Sequence, residues 1–354
     1  MKICVNIPCF NEEKTIASII ARIPSIAQHE LEVIVVDDGS TDNSANIAKK
    51  EGAHVVQNPT NLGLGRTLRV GLKEALKRGA DIIVNIDADG QYNPEDIPRL
   101  IQPILENEAD LVLANRFEQL KYKMPLLKKM GNRFVSWCVR RLTGLKVKDC
   151  QTGFRALNRR LAETLEVLLR GTYTYTQEML IHAKFNGFRV KEIPMDFNAR
   201  EDGKSRLISN IFSYFYKVTK ISLGTYKDYK PLPFFSLIAL IFILIGLLAL
   251  ALDTLGQLSG LHPVPFIRIT NDPKIIATIL VPVAAGFFFL LFGLTLDGIN
   301  RTKSSLVKEN VQLKEKVAEL DSKIIDIGAK LDLLLEARGH PSKEPSNPPP
   351  RKEN

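Results

Sequence analysis

Residues 81–91 read DIIVNIDADGQ. An apolar run, Ile82 to Ile86, ends in two carboxylates, Asp87 and Asp89, followed by Gly90 and Gln91. A short, Ile/Val-rich run of this kind reads as a strand buried on both faces, as in a parallel sheet. Ligands of open α/β sheets bind beyond the carboxyl ends of the strands. Carboxylates at that end are placed to hold a divalent metal, and through it a diphosphate. A second run, LEVIVVDDGS (residues 31–40), finishes the same way in Asp37 and Asp38.

The pattern extends outward from these two runs. Strands are expected at 2–8, 31–37, 54–57, 82–86 and 110–114. Helices are expected at 11–23, from Asp42 to near Gly52, at 64–77 and at 94–107. Gly79 closes one helix and Pro94 opens the next. The alternation predicts a doubly wound sheet. No GxGxxG follows the first strand, and Gly63-Leu64-Gly65 lacks the Walker lysine spacing, so neither dinucleotide binding nor P-loop chemistry is supported. Asp87 and Asp89 offer hard oxygen ligands suited to Mg²⁺ or Mn²⁺, and Gln91 can add an amide oxygen. The cysteines Cys4, Cys9, Cys138 and Cys150 form no CxxC pair and the histidines are scattered, so no zinc site or disulfide framework is expected.

The 354-residue chain carries a formal charge of +9. Nucleic acid and an anionic membrane surface both suit that sign, and two apolar blocks decide for the membrane. Residues 232–252 and 275–296 contain no charged side chain. At 1.5 Å per residue each is long enough for a hydrocarbon core of roughly 30 Å. Lys227 and Lys230 precede the first block, and Arg301 and Lys303 follow the second, so the positive-inside rule puts both flanks in the cytosol. The opening MKICVNIPCFNEE reads as a strand start rather than a signal peptide, which agrees with a cytosolic first domain. Leu126–Leu142 interleaves Lys128, Lys129, Arg133, Arg140 and Arg141 with Phe134, Trp137 and Val139, as an interfacial helix does; a solvated helix packed on the sheet is the competing reading. A second aromatic-rich helix is expected at 207–223.

Behind the second block, Leu306, Leu313, Leu320, Ile327 and Leu334 recur every seven residues, interleaved with Asn310, Val317, Ile324 and Leu331. Assigned to d and a positions, they favour a parallel dimer, or a tetramer built from dimers, with Asn310 setting register. Gly328 interrupts the pattern, and a single amphipathic helix is the alternative. The expected domains are 1–206 (catalytic), 207–230 (juxtamembrane), 231–298 (membrane), 303–336 (coiled coil) and 337–354, a proline-rich disordered tail.

Taken together, Ile7-Pro8-Cys9-Phe10-Asn11-Glu12, Val36-Asp37-Asp38-Gly39-Ser40, Asn61-Leu62-Gly63 and Asp87-Ala88-Asp89-Gly90-Gln91 resemble the family 2 inverting glycosyltransferases. Within that family the chain is similar to the polyprenyl-phosphate sugar synthases, such as dolichyl-phosphate mannose and glucose synthases. The resemblance implies a GT-A-like mixed sheet with interfacial helices and two C-terminal transmembrane helices; the heptad tail has no counterpart in it. It also implies roles. Pro8, Phe10, Glu12, Asp38 and Gly63 would surround the nucleotide, while Asp87, Asp89 and Gln91 would manage metal and diphosphate. Arg116, Arg133, Asp149 and Ser205 would serve the acceptor phosphate. Asp149 opens a stretch like D-x-x-x-G-F-[KR], and Glu178 lies in the region that meets the sugar. Arg200 to Arg206 resembles R-x-x-G-x-S-K, a segment closing over the diphosphate, with Arg206 in place of the usual lysine.

A phosphate acceptor is already anionic at neutral pH and needs no strong general base. It needs cations against its repulsion from the donor, and Arg116, Arg133, Arg200 and Arg206 are the candidates. DADGQ is similar to the spelling in family members that resemble glucose and N-acetylglucosamine transferases, and that resemblance implies a UDP-sugar donor, with GDP-mannose as the alternative. A processive polysaccharide synthase would bring more spans and a Q-x-x-R-W motif. A non-catalytic membrane scaffold using the heptad tail is the reading from a different class. The expected partners are thus a nucleotide sugar, a polyprenyl or dolichyl phosphate, a bilayer and a second copy of the chain, with no nucleic acid.

Overall fold

The computed structural model describes residues 1–117, 126–169, 175–198, 211–259 and 279–300, together with isolated positions 277, 302, 320, 323, 324 and 327. The chain divides into two compact units, Met1–Lys230 and Pro231–Asn354.

The first unit is built on a seven-stranded sheet. In chain order its elements are β1 (Lys2–Cys9), α1 (Ile16–Ala21), β2 (Glu30–Asp37), α2 (Ser44–Lys50), β3 (His54–Gln57), α3 (Leu64–Lys77) and β4 (Ile82–Asn85). A 3-10 turn (Pro94–Asp96) leads into α4 (Ile97–Leu105), followed by β5 (Leu111–Asn115), α5 (Leu126–Thr143), β6 (Arg155–Asn158) and α6 (Arg159–Leu168). The unit ends with α7 (Tyr175–Phe185), β7 (Val190–Pro194) and α8 (Ile211–Tyr229).

Strand order is β3-β2-β1-β4-β6-β5-β7. The chain winds from β1 outward to β3 and then returns to place β4 on the other flank of β1. This creates a topological switch point between β1 and β4, where ligands of such sheets bind. β6 runs antiparallel to both its neighbours, while every other pairing is parallel. The carboxyl ends of β1, β2, β4, β5 and β7 therefore share an edge with the amino end of β6.

Strand side chains alternate between two cores. Ile3, Val5, Ile7, Ile82, Val84 and Ile86 pack with α1 and α4 through Ile16, Ile19, Ile97, Leu100 and Ile101. Cys4, Ile34, Val36 and Ile83 pack on the opposite face with Leu68 and Leu72 of α3, Leu161 and Leu165 of α6 and Leu180 of α7. Burial on both faces is why these strands spell as continuous apolar runs. Each fully buried Ile, Leu or Val contributes about 1.5–3 kcal/mol.

All five expected strands are present, and α3 has the expected bounds. Three expectations change. The helix expected from residue 11 begins at Ile16, because Asn11 takes a left-handed φ of 53° and its Oδ1 accepts a hydrogen bond from the Thr41 amide at 2.7 Å. β6 and β7 join the sheet beyond the five strands read from sequence. The helix expected at 207–223 is α8, which continues to Tyr229; residues 207–210 lie outside the described residues.

In the second unit, α9 (Pro231–Ser259) and α10 (Ile279–Asn300) contain the two apolar blocks. Only 17% and 11% of their most apolar windows are buried, so most of this surface faces outward. Both helices are long and apolar enough to cross a membrane. They meet at glycines: a Cβ on Gly246 would fall 2.7 Å from Val283, one on Gly286 2.9 Å from the Ala239 carbonyl, and one on Gly293 2.9 Å from Phe235. Small residues at such levels allow close helix approach in lipid. Most of the expected coiled coil and all of the tail lie outside the described residues. Within the heptad segment, Leu320, Ile324 and Ile327 are helical and 57–65% exposed.

Candidate active site

On the β1–β2 side of the switch point, Asp38 follows the last residue of β2. Its carboxylate accepts from Asn58 Nδ2, the Leu62 amide and the Gly63 amide, each at 2.9 Å. Asp37 accepts from the Ser40 amide at 3.1 Å and Gln57 Nε2 at 3.3 Å. Gly39 has a φ of +76°, and a Cβ there would lie 2.9 Å from the Thr60 carbonyl carbon. Asn11 and Glu12 donate their amides to Ser40 Oγ at 2.9 Å and Ser44 Oγ at 2.8 Å. Pro8, near the end of β1, and Phe10, Glu12, Asp38 and Gly63, on the interlocked loops that follow β1, β2 and β3, thus share one edge of the sheet. Asp38 ties the loop at 58–63 to the end of β2.

On the β4 side, the acidic loop is held from several directions. Ala88 accepts from Thr15 Oγ1 at 2.6 Å. Asp89 Oδ1 accepts from the Gln91 amide at 3.1 Å. Gln91 exchanges bonds with Asn198, its carbonyl accepting from the Asn198 amide at 2.9 Å and its Nε2 donating to the Asn198 carbonyl at 3.4 Å. Tyr92 is buried between Phe154 and Phe197, and its hydroxyl meets Thr152 Oγ1 at 3.1 Å and the Gly153 amide at 3.0 Å. Burial lifts the Tyr92 pKa to about 12, so it stays a neutral hydroxyl. Among the described residues no group of three or more His, Cys, Asp or Glu side chains could hold a metal. Two carboxylates with one amide oxygen fit a different use: Mg²⁺ and ions like it are commonly held by one or two carboxylates, with substrate phosphates completing the shell.

Behind this loop lies a buried polar pair. Asn6 of β1 and Asn85 of β4 are register partners, fully buried on the α3 face. Asn6 Nδ2 donates to Asn85 Oδ1 at 3.1 Å, and Asn85 Nδ2 donates to the Gly153 carbonyl at 2.9 Å. Asn6 Oδ1 has no hydrogen-bond partner, a cost of ~1–3 kcal/mol by the usual measure of a buried unsatisfied group.

Arg116 and Asp149 face each other. Nε meets Oδ2 at 2.6 Å and Nη2 meets Oδ1 at 2.9 Å, with the guanidinium 5.2 Å from the Phe197 ring centroid. Burial works against the Arg116 charge, but the paired Asp149 carboxylate, by its charge and its hydrogen bonds, favours the charged form and the pKa is raised. The fork engages Nε and Nη2 and joins the end of β5 to the 149–154 segment. Asp149 is further fixed by its amide, which donates to Glu192 Oε1 at 2.7 Å. Arg155 is fully buried and donates to the carbonyls of Cys150, Thr152 and Thr176 at 2.7–2.9 Å, joining the 149–154 segment to the start of α7. Burial pushes its pKa down.

Glu178, in the first turn of α7, is buried, with His182 Nε2 3.5 Å from its Oε1. His182 Nδ1 lies 2.7 Å from the Tyr229 hydroxyl of α8. Arg133 is exposed on α5. Beside it, Met130, Phe134 and Trp137 are 59%, 44% and 53% exposed. An apolar cavity of about 170 Å³ lies between α5 and α8, lined by Phe134, Trp137, Cys138, Leu142, Thr219 and Leu223. Arg200, Ser205 and Arg206 lie outside the described residues. Sequence reasoning missed Asn6, Asn85, Thr15 and Tyr92; an Asn inside the runs KICVNIPC and IIVNI was the available signal for the first two.

The chain belongs to glycosyl transferase family 2, whose pattern matches residues 4–165. It is 34% identical over 245 residues to UDP-N-acetylglucosamine–dolichyl-phosphate N-acetylglucosaminyltransferase of Methanococcus voltae, covering 63% of this chain and 96% of that one. It is 29% identical over 231 residues to polyprenol monophosphomannose synthase of Mycolicibacterium smegmatis, covering 61% and 85%. Glucosyl-3-phosphoglycerate synthase from Mycobacterium tuberculosis, solved with UDP, shares the fold at a TM-score of 0.51 and 24% identity, covering 64% of this chain and 80% of that one.

Proposed function

We propose that this glycosyltransferase moves a hexose from a nucleotide sugar to a polyprenyl or dolichyl phosphate, inverting the anomeric centre. The observation that carries the reading is the acidic loop, Asp87 to Gln91, at the switch point of a chain similar to a dolichyl-phosphate sugar transferase over nearly that protein's whole length. The loops around Pro8, Phe10, Glu12 and Gly63 form the nucleotide side. Asp87, Asp89 and the Gln91 amide oxygen would hold Mg²⁺ or Mn²⁺, which when bound supplies positive charge to the departing diphosphate.

The acceptor phosphate attacks in line without a general base. Glu178, with His182 beside it one turn further along α7, orients the sugar. Arg116 and Asp149 hold the acceptor-side segment in shape, and Arg133, Arg200 and Arg206 supply the cations that offset repulsion between acceptor and donor. The exposed Phe134 and Trp137 on a basic α5 suit the headgroup region of a bilayer, and α9 and α10 suit its interior. The positive flanks support a cytosolic side for the catalytic unit. The heptad spacing from Leu306 to Leu334 supports self-association as a parallel dimer or a dimer of dimers.

The donor leans to UDP-glucose or UDP-N-acetylglucosamine, with GDP-mannose second. The test is purified protein with Mn²⁺, polyprenyl phosphate and, in parallel, UDP-Glc, UDP-GlcNAc, UDP-Gal and GDP-Man, read by mass of the lipid product. One donor giving a lipid-phosphate-sugar that is lost in Asp89→Asn establishes the reading. Nucleotide-sugar binding without any lipid product overturns the acceptor, and absence of binding points to the scaffold alternative.

A further inference from the structure

Asp87 is the first carboxylate of the acidic loop, two residues beyond Asn85. The space beside it is filled by backbone. A Cβ placed on Gly153 would fall 2.1 Å from Asp87 Oδ2 and 2.7 Å from its Cγ. Gly153 lies outside the left-handed φ range that favours glycine. What requires glycine here is the Asp87 carboxylate.

Gly153 is itself held on both sides of its peptide unit. Its amide donates to the Tyr92 hydroxyl at 3.0 Å, and its carbonyl accepts from Asn85 Nδ2 at 2.9 Å. Asn85 is in turn oriented by Asn6 Nδ2 at 3.1 Å, which leaves the Asn85 amide group aimed at Gly153. Asn6 has room only because α3 carries Gly71 opposite it: a Cβ there would fall 2.0 Å from Asn6 Oδ1. A continuous contact path thus runs from Gly71 of α3 through Asn6 and Asn85 to Gly153 and the face of Asp87.

We infer that Asn85 and Gly153 are positioning residues for the Asp87 carboxylate: Asn85 locks the Gly153 peptide, and the bare Cα of Gly153 forms the wall against which Asp87 is set for its cation. Neither residue touches substrate. The path also accounts for a polar pair in an apolar sheet core, where one Asn oxygen goes unsatisfied. The inference rests on the proposal that Asp87 and Asp89 hold a divalent metal.

The experiment is Mn²⁺ binding by electron paramagnetic resonance on the full-length protein in detergent, with UDP and separately with GDP present. It compares wild type with Gly153→Ala, Asn85→Asp and Gly71→Ala, each checked for a cooperative thermal melt. Gly153→Ala and Asn85→Asp should each weaken Mn²⁺ at least about tenfold, and Gly71→Ala by a smaller factor through Asn6. Sugar transfer by these variants should recover as Mn²⁺ is raised, which a folding defect would not produce. Wild-type Mn²⁺ affinity in any folded Gly153→Ala or Asn85→Asp protein overturns the inference. Absence of Mn²⁺ binding in the wild type overturns the metal reading itself.

Discussion

Arg116 and Asp149 close on each other through two parallel hydrogen bonds, 2.6 and 2.9 Å long, at a site where their side chains are 8% and 0% exposed. Removing one partner leaves the other charge buried and uncompensated, which typically costs about 3–5 kcal/mol, on the order of half the stability of an ordinary domain. Asp149→Ala should therefore show a large fall in the denaturation midpoint as well as loss of transfer. Arg116→Lys, which cannot form the fork, should fall between the two. Equal stability of Asp149→Ala and wild type in a denaturant titration would mean that the pair is not formed.

Asp38→Asn is nearly isosteric but turns one carboxylate oxygen into an amide NH₂ facing the donors at Asn58, Leu62 and Gly63. A donor set against a donor costs ~1–3 kcal/mol. Nucleotide affinity should fall about tenfold through distortion of the 58–63 loop, in keeping with that cost. Isothermal titration with UDP and GDP measures it, and an unchanged affinity would argue that the loop lies outside the nucleotide site.

Chelation should abolish transfer, and Mn²⁺ or Mg²⁺ should restore it. Asp89→Asn should lower kcat by about two to three orders of magnitude, the usual scale for losing one element of charge stabilisation. Asp89 is partly exposed and its loop is held through Ala88, Gln91 and Tyr92, so the melting temperature of this variant should stay close to wild type.

Trp137 is the single tryptophan of the chain and is 53% exposed on α5. Its fluorescence reports on α5 alone. In proteoliposomes containing lipids brominated near the headgroup, the emission should be blue-shifted and quenched. Emission matching a water-exposed indole, with no quenching, would favour the solvated-helix reading of this segment.

Deleting residues 306–335 should halve the mass of the particle measured in detergent, or quarter it for a tetramer. An unchanged assembly would assign the heptad pattern to a helix that pairs within its own chain.

The donor half was legible because its chemistry and its fold share one signal. Ile82 to Asn85 is a strand because it is apolar, and Asp87 is at a ligand edge because the strand ends there. The acceptor half was harder to read. β6 spans only Arg155–Asn158 and opens with an arginine that looks like a ligand, yet Arg155 is a buried brace to three carbonyls. α7 is buried on nearly every face and so lacks the amphipathic period that marks a helix. Arg116 and Asp149 were each readable as phosphate-side groups, and only the three-dimensional structure brings them within reach of one another. Asp38 shows the same limit on the donor side: the sequence marks it as important, while its partners at 58–63 arrive from the far end of β3.

The reversed direction of β6 has a consequence for how such a molecule can diversify. β5 leaves the sheet at the ligand edge and β6 re-enters at the same edge, so residues 116–154, with α5 among them, form one excursion whose two feet stand side by side. Arg116 and Asp149 clasp those feet. An excursion closed at its base behaves like an interchangeable cassette. Insertions or deletions between the clasped feet can leave the pairing of β5 with β6, and the sheet beyond it, in register.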